Sequence, residues 1–432
     1  MHRVNYRQTS DSDEERPGRR PVVALSGASG YIGRNLLEAL TAEADVIALS
    51  RNGDERQDTD TVTWRSCDFY AAEDAVSGLA GADYAVFLLH SMLPSAKLTQ
   101  GTFQDMDVIL ATHFARAAQK NGIRQIVYLS GMIPPDTTKD ELSRHLRSRL
   151  EVEEILGSTG VPVTTIRAGL IVGPQGSSFP ILAKLVRRLP FMILPRWTRT
   201  RTHPVALAEV VEALRRSIGC ADLEGRVIDV GGPDVHRVEG LSEGSIPFRE
   251  AALQALEEER KSSNREEQGR SKQPRSDAAV ALAAQPARAV ADVRSVQRLI
   301  LPPGKDAAWA GDYYVQWLAR FAGPVFRAER KGEISRLYLL GFRKPLLQLT
   351  YDAEGSDPGY ACYRISGGSF AKLSSAHRGR LEFVQIEGTR ECVVAIHDYV
   401  PSLPWIVYRY SQAKLHLLVM WLYRRHLSKV QP

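Results

Sequence analysis

The sequence predicts an α/β protein, with a doubly wound parallel sheet over residues 21–235 followed by a smaller α+β domain over 295–432. Three observations lead there. Short β-branched runs alternate with amphipathic helical patterns from Pro21 to about Pro233, the signature of βαβ units. A glycine-rich turn joins the first of these runs to the first helical pattern. Further along, strand-like runs succeed one another with turn residues between them, which favours an antiparallel sheet.

The expected strands of the first domain are Val22–Leu25, Val46–Leu49, Tyr84–Leu89, Ile126–Leu129, Val163–Ile166 and Val227–Val230. Between them, Ile32, Leu36, Leu37 and Leu40 fall on one helical face, and similar patterns cover Phe103–Gln119 and Arg144–Leu156. From Glu257 to about Ser276 the chain has no large apolar side chain to offset its ordering entropy. Residues 236–294 are therefore expected to be a flexible linker, an exposed helix over the Ala-rich part being the alternative. In the second domain the pattern predicts a helix over Tyr313–Phe321. Strands should come next at Ser335–Leu340, Leu346–Tyr351, Tyr360–Ile365, Leu381–Ile386 and Glu391–His397, then a long helix from Trp405 to about Leu427. The first 20 residues are charged and lack an apolar run, which reads as a disordered tail rather than a signal peptide.

Composition narrows the function classes. A chain of 432 residues that is 44% hydrophobic can build two cores. Its net charge of +6 is a mild excess, and with no recognisable binding module it gives no reason to expect nucleic acid as a partner. Cys67, Cys220, Cys362 and Cys392 are widely spaced, which argues against a zinc site or a disulfide framework and suits a reducing compartment. No apolar stretch is long and uncharged enough to span a bilayer, so a cytoplasmic location is expected.

The most specific motif is Gly27-Ala28-Ser29-Gly30-Tyr31-Ile32-Gly33. Glycines there let the backbone turn sharply and approach a diphosphate, whose charge then meets a helix N-terminus. The spacing GxxGxxG resembles that of the extended and atypical short-chain dehydrogenase/reductases, and the likeness extends along the chain. Tyr128-Leu129-Ser130-Gly131 resembles their active-site strand, Val163–Pro174 the strand and loop beside the nicotinamide, and His203-Pro204-Val205 and Gly231-Gly232-Pro233 their closing elements. The resemblance covers residues 21–235 and implies a Rossmann fold. It also implies cofactor contacts from Gly27, Ser29, Gly30, Tyr31, Ile32 and Gly33, and from Asp68, where the superfamily places an adenine-contacting Asp.

An acid at the end of the second strand would bind the ribose 2′-OH of NAD, whereas Arg accommodates the 2′-phosphate of NADP. This chain has Ser50-Arg51 there, which favours NADP(H) over NAD(H), with a solvated Arg51 as the bland alternative. Catalytic members of the superfamily carry Tyr-x-x-x-Lys on a helix, with a Ser upstream. Here His145 and Arg149 stand at those positions and Ser130 remains. Either His145 is the proton donor with Arg149 on the ribose, or the helix presents a basic face over a bound cofactor. The run Leu88-Leu89-His90-Ser91-Met92 and the His-Leu-Arg-Ser-Arg helix resemble the NmrA-like and complex I accessory-subunit-like branch, which adds His90 to the expected cofactor contacts. That branch implies either an oxidoreductase or a non-catalytic NADPH sensor or assembly protein.

After Pro174, an apolar helical face joined to Arg187, Arg188, Arg196, Arg199 and Arg201 suggests a pocket for a lipophilic or acidic small molecule, or a core helix with a solvated basic face. The terminal helix is apolar on most sides. It either packs on the antiparallel sheet, resembling helix-grip domains that enclose hydrophobic ligands, or lies on an anionic membrane surface. His397-Asp398 is read as structural, because no nucleophile accompanies it.

Overall fold

The computed structural model describes residues 19–91, 96–135, 137–173, 201–232, 236–237, 290–321, 326–373 and 378–430. In chain order the first half holds β1 (Val22–Ser26), α1 (Tyr31–Leu40), β2 (Asp45–Ser50), β3 (Val62–Ser66), α2 (Ala72–Leu79), β4 (Tyr84–Phe87), β5 (Ala96–Gln100) and α3 (Phe103–Lys120). Next come β6 (Gln125–Gly131), α4 (Arg144–Gly157), β7 (Val163–Ala168), β8 (Leu170–Val172), β9 (Arg201–Thr202), β10 (Pro204–Ala206), α5 (Leu207–Ser217), β11 (Val227–Val230) and β12 (His236–Arg237). The second half runs β13 (Val290–Ile300), α6 (Ala307–Phe321), β14 (Phe326–Lys331), β15 (Ile334–Leu339), β16 (Pro345–Tyr351), β17 (Tyr360–Gly367), β18 (Arg380–Gln385), β19 (Glu391–Tyr399), α7 (Trp405–Tyr410) and α8 (Gln412–Leu427).

The expected parallel sheet is present, in the order β11-β7-β6-β4-β1-β2-β3. Its strand order reverses between β1 and β4, the point where open α/β sheets bind ligands. One face of the sheet packs on α1 and α5 through Leu36, Leu40, Val210 and Leu214. The other packs on α2, α3 and α4 through Leu79, Ile109, Phe114, Val152 and Leu156.

The second sheet is the antiparallel meander β14-β15-β16-β17-β18-β19-β13, with β5 added in parallel at its edge. Val296, Val393 and Ala395 point from it into the core that holds α3, while Val394, Cys392 and Phe383 face a second core with α6, α7 and α8. The layers therefore run helix, sheet, helix, sheet, helix. Because α3 lies between two sheets it is buried nearly all round, unlike an ordinary surface helix.

Several details differ from the sequence pattern. β13 begins at Val290, inside the stretch expected to be linker; α6 begins at Ala307 rather than Tyr313. β5 and β14 carry no clear alternation and were not anticipated. The terminal helix is two helices, broken at Ser411, whose φ of −118° and ψ of −84° are not helical. The tail and most of the linker lie outside the described residues. Among the described residues, no helix is long and apolar enough to cross a membrane.

Candidate functional site

Gly27 ends β1 with a φ of +69°, a left-handed conformation suited to glycine, and its carbonyl accepts from Gly30 N at 2.8 Å. A Cβ at Gly33 would stand 2.1 Å from Gly27 O, so only glycine lets α1 approach the turn this closely. No side chain caps the start of α1 and its first turn holds no acid. The amides at this helix N-terminus therefore suit an anion. Ser26 Oγ donates to Val86 O at 2.9 Å and accepts from Leu88 N at 3.2 Å, tying the β1 turn to the loop after β4.

The remaining residues of the motif take different parts. Ser29 Oγ lies 3.5 Å from Ser50 Oγ, which links the turn to the end of β2. Tyr31 packs over the core, and its hydroxyl lies where a Cβ at Gly173 would come within 2.4 Å. Ile32 also packs on that core, so its contribution to an anion is the main-chain N–H alone.

At the expected adenine end Ser50 is buried and Arg51 is exposed. The next acids are occupied. Asp54 Oδ1 accepts from Ser66 N at 3.2 Å, and Glu55 lies 3.5 Å from Asn52 Nδ2. Asp68 comes after β3 as expected. Its carboxylate lies 3.7 Å from Arg294, a residue of β13 that also stacks over Tyr70 at 3.8 Å. Sequence reading missed this contact because the two positions lie in different domains.

Ser130 sits at the end of β6, buried, with its hydroxyl beside that of Tyr128. Beside it, α4 opens with Ser143, whose Oγ accepts from Leu146 N at 3.2 Å. His145 therefore lies in the first turn of α4 and Arg149 one turn later. The Tyr128 hydroxyl donates to Arg149 O at 3.2 Å.

His145 and His90 are solvent-accessible, yet partial desolvation and the Arg149 guanidinium hold both below the ordinary imidazole value of 6.5. Asp107, buried on α3, opposes this shift at both rings. It accepts from Ser91 N at 2.7 Å and from Ser148 Oγ at 3.1 Å, fixing the β4 loop against α4. Asp107 was legible only as a carboxylate in an otherwise apolar stretch of α3. The structure thus gathers Ser130, His145, Arg149 and His90 on the β4–β6 side of the switch point.

Close backbone approaches also join the expected closing elements. A Cβ at Gly169 would meet His203 O at 1.8 Å, and one at Gly232 would meet Pro204 O at 2.1 Å. The Arg-rich segment 174–200, expected to line a substrate pocket, lies outside the described residues. Taken together, the glycine cradle, the uncapped helix end and the acid-free end of β2 fit a dinucleotide.

Two further spaces are present. A cavity of about 610 Å³ lies between α2, α3 and strands β17 and β18. On its floor Glu382, fully buried, accepts from the Tyr360 hydroxyl at 2.6 Å and from Arg380 Nε at 2.8 Å. Nearby, His397 is fully buried, and desolvation together with Arg380 drives it well below its ordinary value. The second space lies between α6, His416 and the facing strands β15, β16 and β17. It measures about 90 Å³, well short of the roughly 300–1,000 Å³ of a drug-sized ligand site.

Residues 27–184 match a protein family described as NAD(P)H-binding. Over 402 residues the chain is 21% identical to the auxiliary protein GraX of Staphylococcus aureus (strain NCTC 8325 / PS 47), covering 93% of this chain and 91% of that protein. Among solved structures it is similar to a nucleoside-diphosphate-sugar epimerase from Staphylococcus aureus, at 15% identity and a TM-score of 0.42, over 52% of this chain and 75% of that one. It is also similar to the Bordetella bronchiseptica enzyme WbmG in complex with NAD, at 14% identity and a TM-score of 0.43, over 53% and 78%. The first half of this chain is an NAD(P)-binding Rossmann domain, and an additional C-terminal domain with an antiparallel sheet follows it.

Proposed function

We propose that the protein binds NADP(H) in preference to NAD(H) and acts as an oxidoreductase on a small lipophilic or acidic alcohol or carbonyl compound, with His145 handling the proton. The observation that carries this reading is the mutual electrostatic grouping of His145, His90, Arg149 and Asp107, with Arg149 and Ser130 both beside the Tyr128 hydroxyl. A bound nicotinamide supplies the hydride donor or acceptor. Main-chain amides of residues 27–33 and the α1 N-terminus hold the diphosphate, and Arg51 takes the 2′-phosphate. Ser130 Oγ, at the end of β6 beside the Tyr128 hydroxyl, can orient a substrate oxygen. His145, kept neutral by desolvation and Arg149, accepts the hydroxyl proton when an alcohol is oxidised and returns it when a carbonyl is reduced.

A second reading, a cofactor-reading protein without turnover, has two observations in its favour. The relative matched over nearly its whole length is named an auxiliary protein, and the usual Tyr–Lys pair is replaced here. His145→Ala separates the two. Loss of turnover by roughly 100-fold or more with NADPH affinity retained is the expected result; an unchanged rate removes His145 from the chemistry. Absence of turnover across alcohols and carbonyl compounds, with tight NADPH binding, favours the second reading.

A further inference from the structure

One end of the C-terminal sheet collects exposed apolar side chains. The β15–β16 turn exposes Leu340 (60%) and Phe342 (63%), and α7 exposes Ile406 (73%) and Tyr410 (62%). Backbone hydrogen bonds place these segments together. Ser369 N and Phe370 N donate to Pro345 O and Leu346 O, while Ser402 N donates to Phe370 O and Lys372 N to Val400 O, all within 2.8–3.0 Å. Leu373 in the loop after β17 and Val407 on α7 are exposed at the same end.

The charge here is mainly positive: Asp398 near the end of β19 is taken up by Arg380, and Arg378 pairs with Asp74 of α2. Residues 340–344, 366–379 and 400–432 contain no Asp or Glu, but they contain Arg343, Lys344, Lys372, Arg378, Arg409 and Lys414. The opposite end of the sheet carries most of the acids, with Glu333, Asp352, Glu354, Asp357 and Glu387 in its turns. From α7 the basic and aromatic pattern continues onto α8. Lys414 lies over the Tyr410 ring and Arg425 over the exposed Trp421, and Leu418 is exposed between them.

We propose that this end of the C-terminal domain docks on an anionic phospholipid surface, with Phe342 and Ile406 inserted and the Arg and Lys side chains at the headgroups. Exposed apolar tips flanked by an excess of cations, the nearby Asp398 and Asp74 being paired with Arg380 and Arg378, complement a negatively charged bilayer. A second copy of this chain meeting the same face would bring like charges together, which disfavours a symmetric dimer.

The test is co-sedimentation of the full chain with phosphatidylcholine vesicles, with and without about one-third phosphatidylglycerol, at low and high salt. The expected result is at least ~tenfold more binding to the anionic vesicles, weakened by salt. The double variant Phe342→Asp/Ile406→Asp, shown to be folded by circular dichroism, should fall to the level of phosphatidylcholine alone. Failure to bind, equal binding to both vesicles, or undiminished binding of the double variant overturns the proposal. So does light scattering that shows a dimer which the same substitutions dissociate.

Discussion

In the parallel sheet consecutive strands pair directly, with one reversal, whereas the C-terminal sheet is completed by β5, which leaves the first domain from between β4 and α3. The first region is a self-contained dinucleotide fold. The second uses the outer surface of α2 and α3 as its floor. Polar groups are consequently caught between them. Arg380 Nη2 donates to Tyr70 O at 2.7 Å, and Arg298 reaches Asp105 and Glu151 at 2.8 and 2.5 Å. The comparison teaches that the domain seam is part of the core, so changes there should register as loss of global stability.

The largest effect should come from Glu382→Ala. It removes a fully buried carboxylate and leaves the buried Arg380 guanidinium with Asp398 as its acidic partner. Breaking a buried pair costs about 3–5 kcal/mol, readable by urea unfolding. A loss below about 1 kcal/mol, the range of exposed pairs, would mean that the seam is hydrated and the halves only loosely apposed.

Gly33→Ala tests the other region alone. Its Cβ would enter a backbone contact at 2.1 Å that cannot yield without moving α1. NADPH affinity should drop at least ~100-fold in a fluorescence titration, equivalent to about 2.7 kcal/mol. An unchanged affinity would show that the nucleotide does not sit at this turn.

Acid should weaken the seam more gradually. His397 and His113 are buried and held below 6.5, so the folded state favours their neutral form. Their stabilising contribution is complete above pH 6.5. It is lost as pH falls below that value, because the unfolded chain then takes up protons that the folded chain refuses. Each ring contributes up to about 1.4 kcal/mol per pH unit in that window. His397→Gln should flatten the slope of unfolding free energy against pH. An equal slope in the variant would assign the acid sensitivity elsewhere.

The smallest effect concerns cofactor choice. If the exposed Arg51 serves only the 2′-phosphate, as proposed, Arg51→Ala should weaken NADPH binding by about tenfold and leave NADH binding unaltered. Equal losses for both cofactors would assign Arg51 to the shared part of the nucleotide.

Legibility in the sequence divides along the same line. The strands within Val22–Leu25, Tyr84–Phe87 and Ile126–Leu129 are mostly buried and announce themselves by apolar runs, although the expected Tyr84–Leu89 overruns β4 by two residues; the glycine turn is specified within seven residues. β5, reading Ala-Lys-Leu-Thr-Gln, and β14, reading Phe-Arg-Ala-Glu-Arg-Lys, are edge strands. Their hydrogen bonds come from the backbone, so their side chains leave little periodic signal. The start of β13 is obscured by a register shift between Val293 and Ser295, which buries Arg294 and Ser295 in succession and breaks the alternation. At the site, Ser130, His145 and Arg149 were readable from their place in a local pattern. Asp107 and Arg294 act across elements, and only the packed structure brings them to His145 and Asp68.

The most direct measurement is calorimetric titration of the full chain with NADPH and with NADH. Saturable binding of one equivalent, tighter for NADPH by about tenfold, is the result that a phosphate cradle at Gly27–Gly33 with Arg51 beside it predicts. Heat signals that show no binding of either nucleotide, or a clear preference for NADH, would contradict it.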